Sequence, residues 1–454
     1  MVDAVLPEQF KIRMKSILGE EYEMFIEALG EERTNAFRLN PLKAKEDILS
    51  SLAPFRPEKI PHIDFGYRYT GSGIGHTPAH HAGAIYVQDA GAMCAVEALS
   101  LFPGAKVLDV CASPGGKSTQ AAGKIGREGL LVANEYVSSR AKILVENFER
   151  LGLPSAMVLN LDTKDLGGLF EGYFDAVICD APCSGEGMFR KTDEAVAHWS
   201  EENIRMCANR QMEILGNIAT TVKVGGELLY STCTYAPEEN EEVVRAFLLS
   251  HPDFVLKPLP DKLNAVTSPA VPLDGVGNIG YARRFYPHKC EGEGQFMALF
   301  QRVSGDVLPT ILYKDASKPL SKEQERVLNA FLKEVLADPS VVHAREISGK
   351  LVHIESGIPI PPKKVFSGGV LLGEIRGANF FPSHQFFSVF GTQFKRQLSL
   401  TSEDERVFAY LHGEEIEADL QNGWCAVLFE GTVLGGGKAS GGRVKNHYPK
   451  GLRR

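Results

Sequence analysis

Between residues 76 and 302, short apolar runs recur, each bounded by Gly, Pro or Asp and separated from the next by a stretch with helical spacing. The runs fall at 107–110, 130–133, 157–159, 174–179 and 227–231, and the clearest helical stretches span 138–151 and 201–222. Short strands that are apolar on both faces and alternate with helices predict a parallel sheet covered on both sides. The fold class is therefore α/β, a doubly wound, Rossmann-like domain over 76–302. A sixth run, 295–300, follows no helix of its own and is expected as an antiparallel edge strand.

The flanking regions have a different rhythm. Residues 1–75 predict helices at 7–18 and 20–29, a strand at 36–39 and a short helix near 43–52. Pro54, Pro57 and Pro61 break the pattern before a strand-like run at 63–69, and Gly71, Gly73 and Gly75 mark an exit linker. This is a small α+β unit. Beyond 303, residues 321–336 have helical spacing, while 366–390, rich in Gly, Phe and Val, read as β. An intermediate unit is thus expected over 303–400 and a last one over 401–454, and no internal repeat is evident.

Composition narrows the class. With 454 residues, 44% hydrophobic and 23% charged, the chain is a multi-domain globular protein. No run reaches the ~18 apolar residues of a membrane span, and Met1 to Ile17 lacks a secretory pattern, so a cytoplasmic address and no membrane partner are expected. The 8 cysteines include no Cys-x-x-Cys pair, so neither a disulfide framework nor a metal site is expected. The net charge of −8 conceals a sign change. Glu403 to Asp419 is acidic, whereas Gly431 to Arg454 carries Lys438, Arg443, Lys445, Lys450, Arg453 and Arg454 and no acid. Such asymmetry suggests a basic binding surface, and Val427, Leu428, Val433, Leu434 and Val444 favour a folded module over a solvated tail.

Ligands of open α/β sheets bind at the carboxyl ends of the strands. After the first strand the chain runs Asp109, Val110, Cys111, Ala112, Ser113, Pro114, Gly115, Gly116, Lys117. Adjacent glycines let the backbone approach a ligand. The spacing is neither the Gly-x-Gly-x-x-Gly of dinucleotide binders nor that of a phosphate loop, which argues against a nicotinamide oxidoreductase. Glu135 ends the second strand, Asp162 follows the third and Asp180 ends the fourth. Acids at four strand ends suit a cofactor with a ribose, an exocyclic amine and a cationic sulfonium, and would repel a pyrophosphate.

Two cysteines follow strand ends in the same domain: Cys183, after Asp180-Ala181-Pro182, and Cys233, after Tyr230-Ser231-Thr232. Both thiols are expected to project into the cofactor crevice. Cytosine carbon 5 is a poor nucleophile until a thiolate adds to carbon 6, and release then needs a second acid/base group. Asp180 is placed to bond the ring nitrogen and exocyclic amine as charge develops.

At these motifs, Asp109 to Lys117, Asp180 to Gly187 and Ser231 to Asn240, the chain resembles the RNA cytosine-C5 methyltransferases named for the Sun and nucleolar proteins, over roughly residues 35–302. The resemblance implies a class I methyltransferase domain using S-adenosylmethionine, with Cys111, Ala112, Ser113, Pro114, Gly115, Gly116, Lys117, Glu135, Asp162 and Asp180 binding it. It implies that Cys233 is the nucleophile and that Cys183 helps release the product. The Gly187 to Lys191 run and the ending Arg443 to Arg453 are similar to the bacterial type that acts on small-subunit (16S) ribosomal RNA. On that footing 1–75 is an RNA-binding unit, 401–454 a PUA-like RNA-binding module, and the chain a monomer. The alternatives are a non-catalytic RNA-binding ribosome assembly factor, or a methyltransferase acting on tRNA or DNA cytosine. In the DNA enzymes the nucleophile occupies the Pro-Cys position, here Cys183.

Overall fold

The structure, a computed structural model, describes residues 6–45, 47–290, 292–305, 311, 313–354 and 359–453. Its centre is a ten-stranded sheet. Four of the expected runs, Lys106–Asp109, Leu130–Asn134, Ala156–Leu159 and Phe174–Asp180, pair in parallel with one another or, at the last, with Val222–Thr232. Their residues are almost wholly buried because helices cover both faces. From Lys106–Asp109 the chain winds outward in one direction through the second and third strands, then returns to lay Phe174–Asp180 and Val222–Thr232 on the other side. The switch point therefore falls between Lys106–Asp109 and Phe174–Asp180, the place where such sheets bind ligands.

The strand Gln295–Arg302 is antiparallel to Val222–Thr232, but it is not the edge. Arg283–Phe285 and Phe254–Lys257 pair along its outer side. The first of these hides from a hydrophobicity reading because it carries two arginines. Arg284 is nonetheless 1% exposed, since it meets Glu241 through two bonds of 2.7 and 2.6 Å.

The flanking units share cores with the rest. Helices Glu8–Leu18 and Tyr22–Gly30 place Phe10, Met14 and Phe25 against Phe189, Tyr235 and Tyr286, beside the loops of the central domain. The first sheet comprises Glu58–Lys59, Gly66–Tyr69, Asn35–Leu39 and, beyond the expected linker, Ile85–Val87. Its Phe37, with Ile48 and Leu52, packs in one cluster with Tyr410, Val427 and Val444 from the other end of the chain.

The segment 366–390, expected as β, divides. Val365–Gly368 joins the central sheet antiparallel to Ala156–Leu159, and Val370–Arg376 and Asn379–Pro382 belong to a small separate sheet. His384–Phe390 is a helix. Ser383 caps it by accepting the Phe386 N–H, and Phe386, Phe387 and Phe390 turn inward, so its apolar density marks a buried helix rather than a strand. The final sheet contains Gln397–Leu400, Gly423–Phe429, Thr432–Ser440, Arg443–Asn446 and Ile416–Glu417. Arg454 of the basic run lies outside the described residues. Among the described residues no helix is long and apolar enough to cross a membrane.

Candidate active site

The loop after the first strand turns into the helix Gly116–Ile125 through Gly115, whose φ of 111° is a conformation L side chains rarely adopt. A Cβ on Gly116 would stand 3.1 Å from the Gln88 side chain. Ser118 donates to the buried Asp109 carboxylate, and burial pushes the Asp109 carboxyl up to about 7 despite that bond. Asn134 ties three strand ends together: its amide donates to Val110 O and Leu161 O, and its Oδ1 accepts the Leu161 N–H at 2.9 Å.

Around the switch point lies a cavity of about 520 Å³ lined by Cys111, Ser113, Glu135, Asp162, Asp180, Cys183 and Cys233, among others. The structure thus brings the acids of the second, third and fourth strand ends into one space with both thiols. Ala112, Pro114, Gly116 and Lys117, also expected at the cofactor, line an adjoining cavity, as does Asp109. Gly115 lines neither and makes the turn. The Glu135 carboxylate accepts the Val137 N–H at 2.8 Å, and Asp162 accepts the Lys164 N–H. Asp162 lies beside the mouth, its carboxyl lowered first by that bond. Among the described residues no group of three or more His, Cys, Asp or Glu side chains is placed to hold a metal ion.

The two thiols meet: Cys183 Sγ is 3.3 Å from Cys233 Sγ. The bond from Cys183 brings the Cys233 thiol below its ordinary range, opposed by burial and by Asp180 and aided by the positive charge of Lys117 and Lys191. The same bond, together with burial, raises Cys183. The two shifts run in opposite directions and favour the thiolate at Cys233 over Cys183. Lys117 Nζ bonds Asp180 Oδ2 at 2.7 Å, and Ser231 donates to Asp180 Oδ1 at 2.8 Å. Burial works against the Lys117 charge, but the Asp180 carboxylate outweighs it and holds Lys117 above its usual range.

Two glutamates missed by the sequence reading fasten the thiol loops. Glu186, 1% exposed, accepts from Trp199 Nε1, Thr234 Oγ1 and the Tyr235 N–H at 2.8–2.9 Å. Glu239, 0% exposed, accepts from Ser184 N, Ser184 Oγ and Gln211 Nε2. Burial lifts its carboxyl to about 7. Arg38 was also missed: buried, it donates to Gly116 O at 3.0 Å, to Thr119 and to Gln88 Oε1, supporting the glycine loop from the first sheet. The only sequence signal was a charged residue inside a short alternating strand.

Three family models match the chain: 16S rRNA methyltransferase RsmB/F over residues 96–301, the N-terminal domain of 16S rRNA methyltransferase RsmF over 6–90 and the methyltransferase RsmF PUA domain over 397–454. Curated relatives include a ribosomal RNA small subunit methyltransferase F from Vibrio atlanticus, 30% identical over 98% of this chain and 97% of its own. One of the same description from Klebsiella pneumoniae is 30% identical over 98% of this chain and 96% of its own. Among solved structures, a methyltransferase homolog protein from Pyrococcus horikoshii is 30% identical, covers 65% of this chain and 95% of its own, and superposes with a TM-score of 0.57.

Proposed function

The chain belongs to the RsmF type of ribosomal RNA small-subunit methyltransferases within the Sun and nucleolar-protein family, and from that premise we propose that it methylates carbon 5 of cytosine in 16S ribosomal RNA through a covalent Cys233 adduct. That it is an rRNA methyltransferase with an RNA-binding PUA domain follows from the family. The finer reading is carried by the polarised thiol pair beside the acid-lined crevice.

S-adenosylmethionine, when bound, supplies an electrophilic methyl on a cationic sulfur. The donor set fits it: Glu135 is positioned to accept from ribose hydroxyls and Asp162 from the exocyclic amine, while Arg140, which lines the same crevice, pairs with Glu135 at 3.7 Å. Cys233 adds to cytosine carbon 6 as a thiolate, which moves electron density to carbon 5. Asp180, held by Lys117 and Ser231, is positioned to accept from the exocyclic amine, and from the ring nitrogen once that atom takes up a proton as density develops. After methyl transfer the Cys183 sulfur, its own proton given up to solvent, takes the carbon-5 proton; the carbon–hydrogen electron pair re-forms the ring double bond and Cys233 departs as the thiolate. Cys183 serves that release, since its thiol already bonds the Cys233 sulfur that must depart. The work belongs in the cytoplasm, where small subunits are assembled.

The test is transfer of labelled methyl from S-adenosylmethionine to a 16S transcript or isolated small subunits, followed by bisulfite mapping. Protected cytosines that appear only with the enzyme support the reading. Label found on another base or at a position other than carbon 5 contradicts it.

A further inference from the structure

The cavity that adjoins the crevice, about 410 Å³, meets it along Cys111, Ser113 and Asp180. One wall is the first sheet, with Arg33, Asn35, Tyr86 and Gln88, and the other is the glycine loop and Lys191. Its acids are occupied within the protein. Asp89 accepts the N–H groups of Ala92 and Glu293, Glu293 bonds Arg190 at 2.8 Å, Asp180 holds Lys117 and Asp109 takes the Ser118 hydroxyl. Lys117 is likewise spent on Asp180. Two cations remain: Arg33 and Lys191 have no side-chain hydrogen bond or ion pair among the described residues. Asp180 and Glu293 are paired with cations, while Arg33 and Lys191 have no carboxylate partner among the described residues, which leaves room for an anion between them.

We propose that this cavity receives the RNA phosphodiester next to the target nucleotide, gripped by Arg33 and Lys191 from opposite walls. The proposal rests on the rRNA-methylation reading and adds where the strand runs. A base placed at Cys233 must trail its backbone out of the crevice, and the shared boundary at Asp180 gives it this exit. Beyond it, Arg33 also lines a cleft of about 380 Å³ with Arg56 and Tyr69, where the strand meets a further cation and an aromatic face beside the first sheet; Arg68 in the same cleft is paired with Glu58. Single-stranded RNA suits such a track, because a base must be free of its stack to reach a buried thiol. The competing anion is the cofactor's own carboxylate.

The experiment uses the full chain and a 16S transcript. Affinity is measured across salt concentration for the unsubstituted protein, Arg33→Gln, Lys191→Gln and the double variant, with cofactor affinity by calorimetry and methyl transfer on the same transcript. The double variant, which leaves that one phosphate without a cation, is expected to lower the slope of log affinity against log salt by about 0.7, and each single substitution by less. Each is expected to raise KM for RNA on the order of ten-fold, with cofactor affinity unchanged. Unchanged slopes would overturn the phosphate site, as would a loss of cofactor affinity large enough to account for the whole defect. Failure of the unsubstituted chain to methylate the transcript or small subunits overturns the RNA reading itself, and this site with it.

Discussion

Cys183 and Cys233 leave adjacent parallel strands, Phe174–Asp180 and Val222–Thr232, and their sulfurs stand 3.3 Å apart. The contact does not rest on the thiols alone. Ser184 and Thr234, the residues that follow them, exchange a hydroxyl bond of 2.9 Å, and Glu186 and Glu239 each span from one loop to the other. Four buried polar groups thus fix the distance between the two sulfurs.

The crevice acids should separate binding from folding. Asp162→Ala and Glu135→Ala each remove acceptors for a ligand rather than core packing, so S-adenosylmethionine affinity should fall on the order of ten-fold in each. Calorimetric titration measures it. Because Asp162 sits at the mouth, its variant should melt with the parent in thermal denaturation, whereas Glu135→Ala also frees the Val137 N–H.

Asp109 should leave a mark on the pH dependence of stability. Its carboxyl is raised to about 7 from 3.8, by burial. The folded form therefore holds a proton that the unfolded chain has released between those values, and stability from this group is lost as pH rises through that window. Asp109→Asn cannot ionise, so its stability relative to the parent should be greater at pH 8 than at pH 5. Denaturant unfolding at the two pH values checks this; an equal difference at both would contradict the buried, proton-holding carboxyl.

The Arg284–Glu241 pair is 1–2% exposed, and Arg284 also donates to Tyr235 O at 2.7 Å, directly behind the Cys233 loop. Arg284→Met leaves the Glu241 carboxylate buried without its partner. A loss of about 3 kcal/mol in unfolding free energy is expected, measurable by urea denaturation. Replacing both residues together by apolar ones should cost less than the single change.

The basic C-terminal surface is better tested by charge than by truncation. Cutting after Glu430 would remove Thr432–Ser440, whose Val433 and Leu434 are buried in two different cores, and so would destroy the module. Lys438 and Lys445 instead face one another across the Thr432–Ser440 and Arg443–Asn446 pair, exposed like charges whose repulsion a polyanion would relieve. Lys438→Gln with Lys445→Gln should lower the salt slope of RNA affinity by about 1.4 and leave the melting temperature no lower than the parent's.

The sequence made the central sheet legible because its strands are short, apolar and punctuated. Cys183, Cys233 and the acids at strand ends could be placed for the same reason: topology sends every carboxyl end to one side. Less legible were features whose signal is a partner far along the chain. Nothing near Arg284 in the chain announces Glu241, 43 residues away, and nothing near Arg38 announces Gly116. Glu186 and Glu239 sit inside motifs read for their cysteines, and nothing in their spacing says that each bridges two loops. The helix His384–Phe390 resembled a strand because aromatic density without a clear period fits either. The shared core of Phe37 and Val427 joins opposite ends of the chain, beyond the reach of local pattern.

The two thiols divide the labour of attack and release, and a denaturing gel of protein with labelled target RNA and S-adenosylmethionine tells their roles apart. Cys233→Ala should give neither methylation nor a slow-migrating protein–RNA band, because the first bond cannot form. Cys183→Ala should accumulate that band with the methyl already transferred, because Cys233 still attacks while release is impaired. A band with Cys233→Ala and none with Cys183→Ala would overturn this division and assign the nucleophile to Cys183.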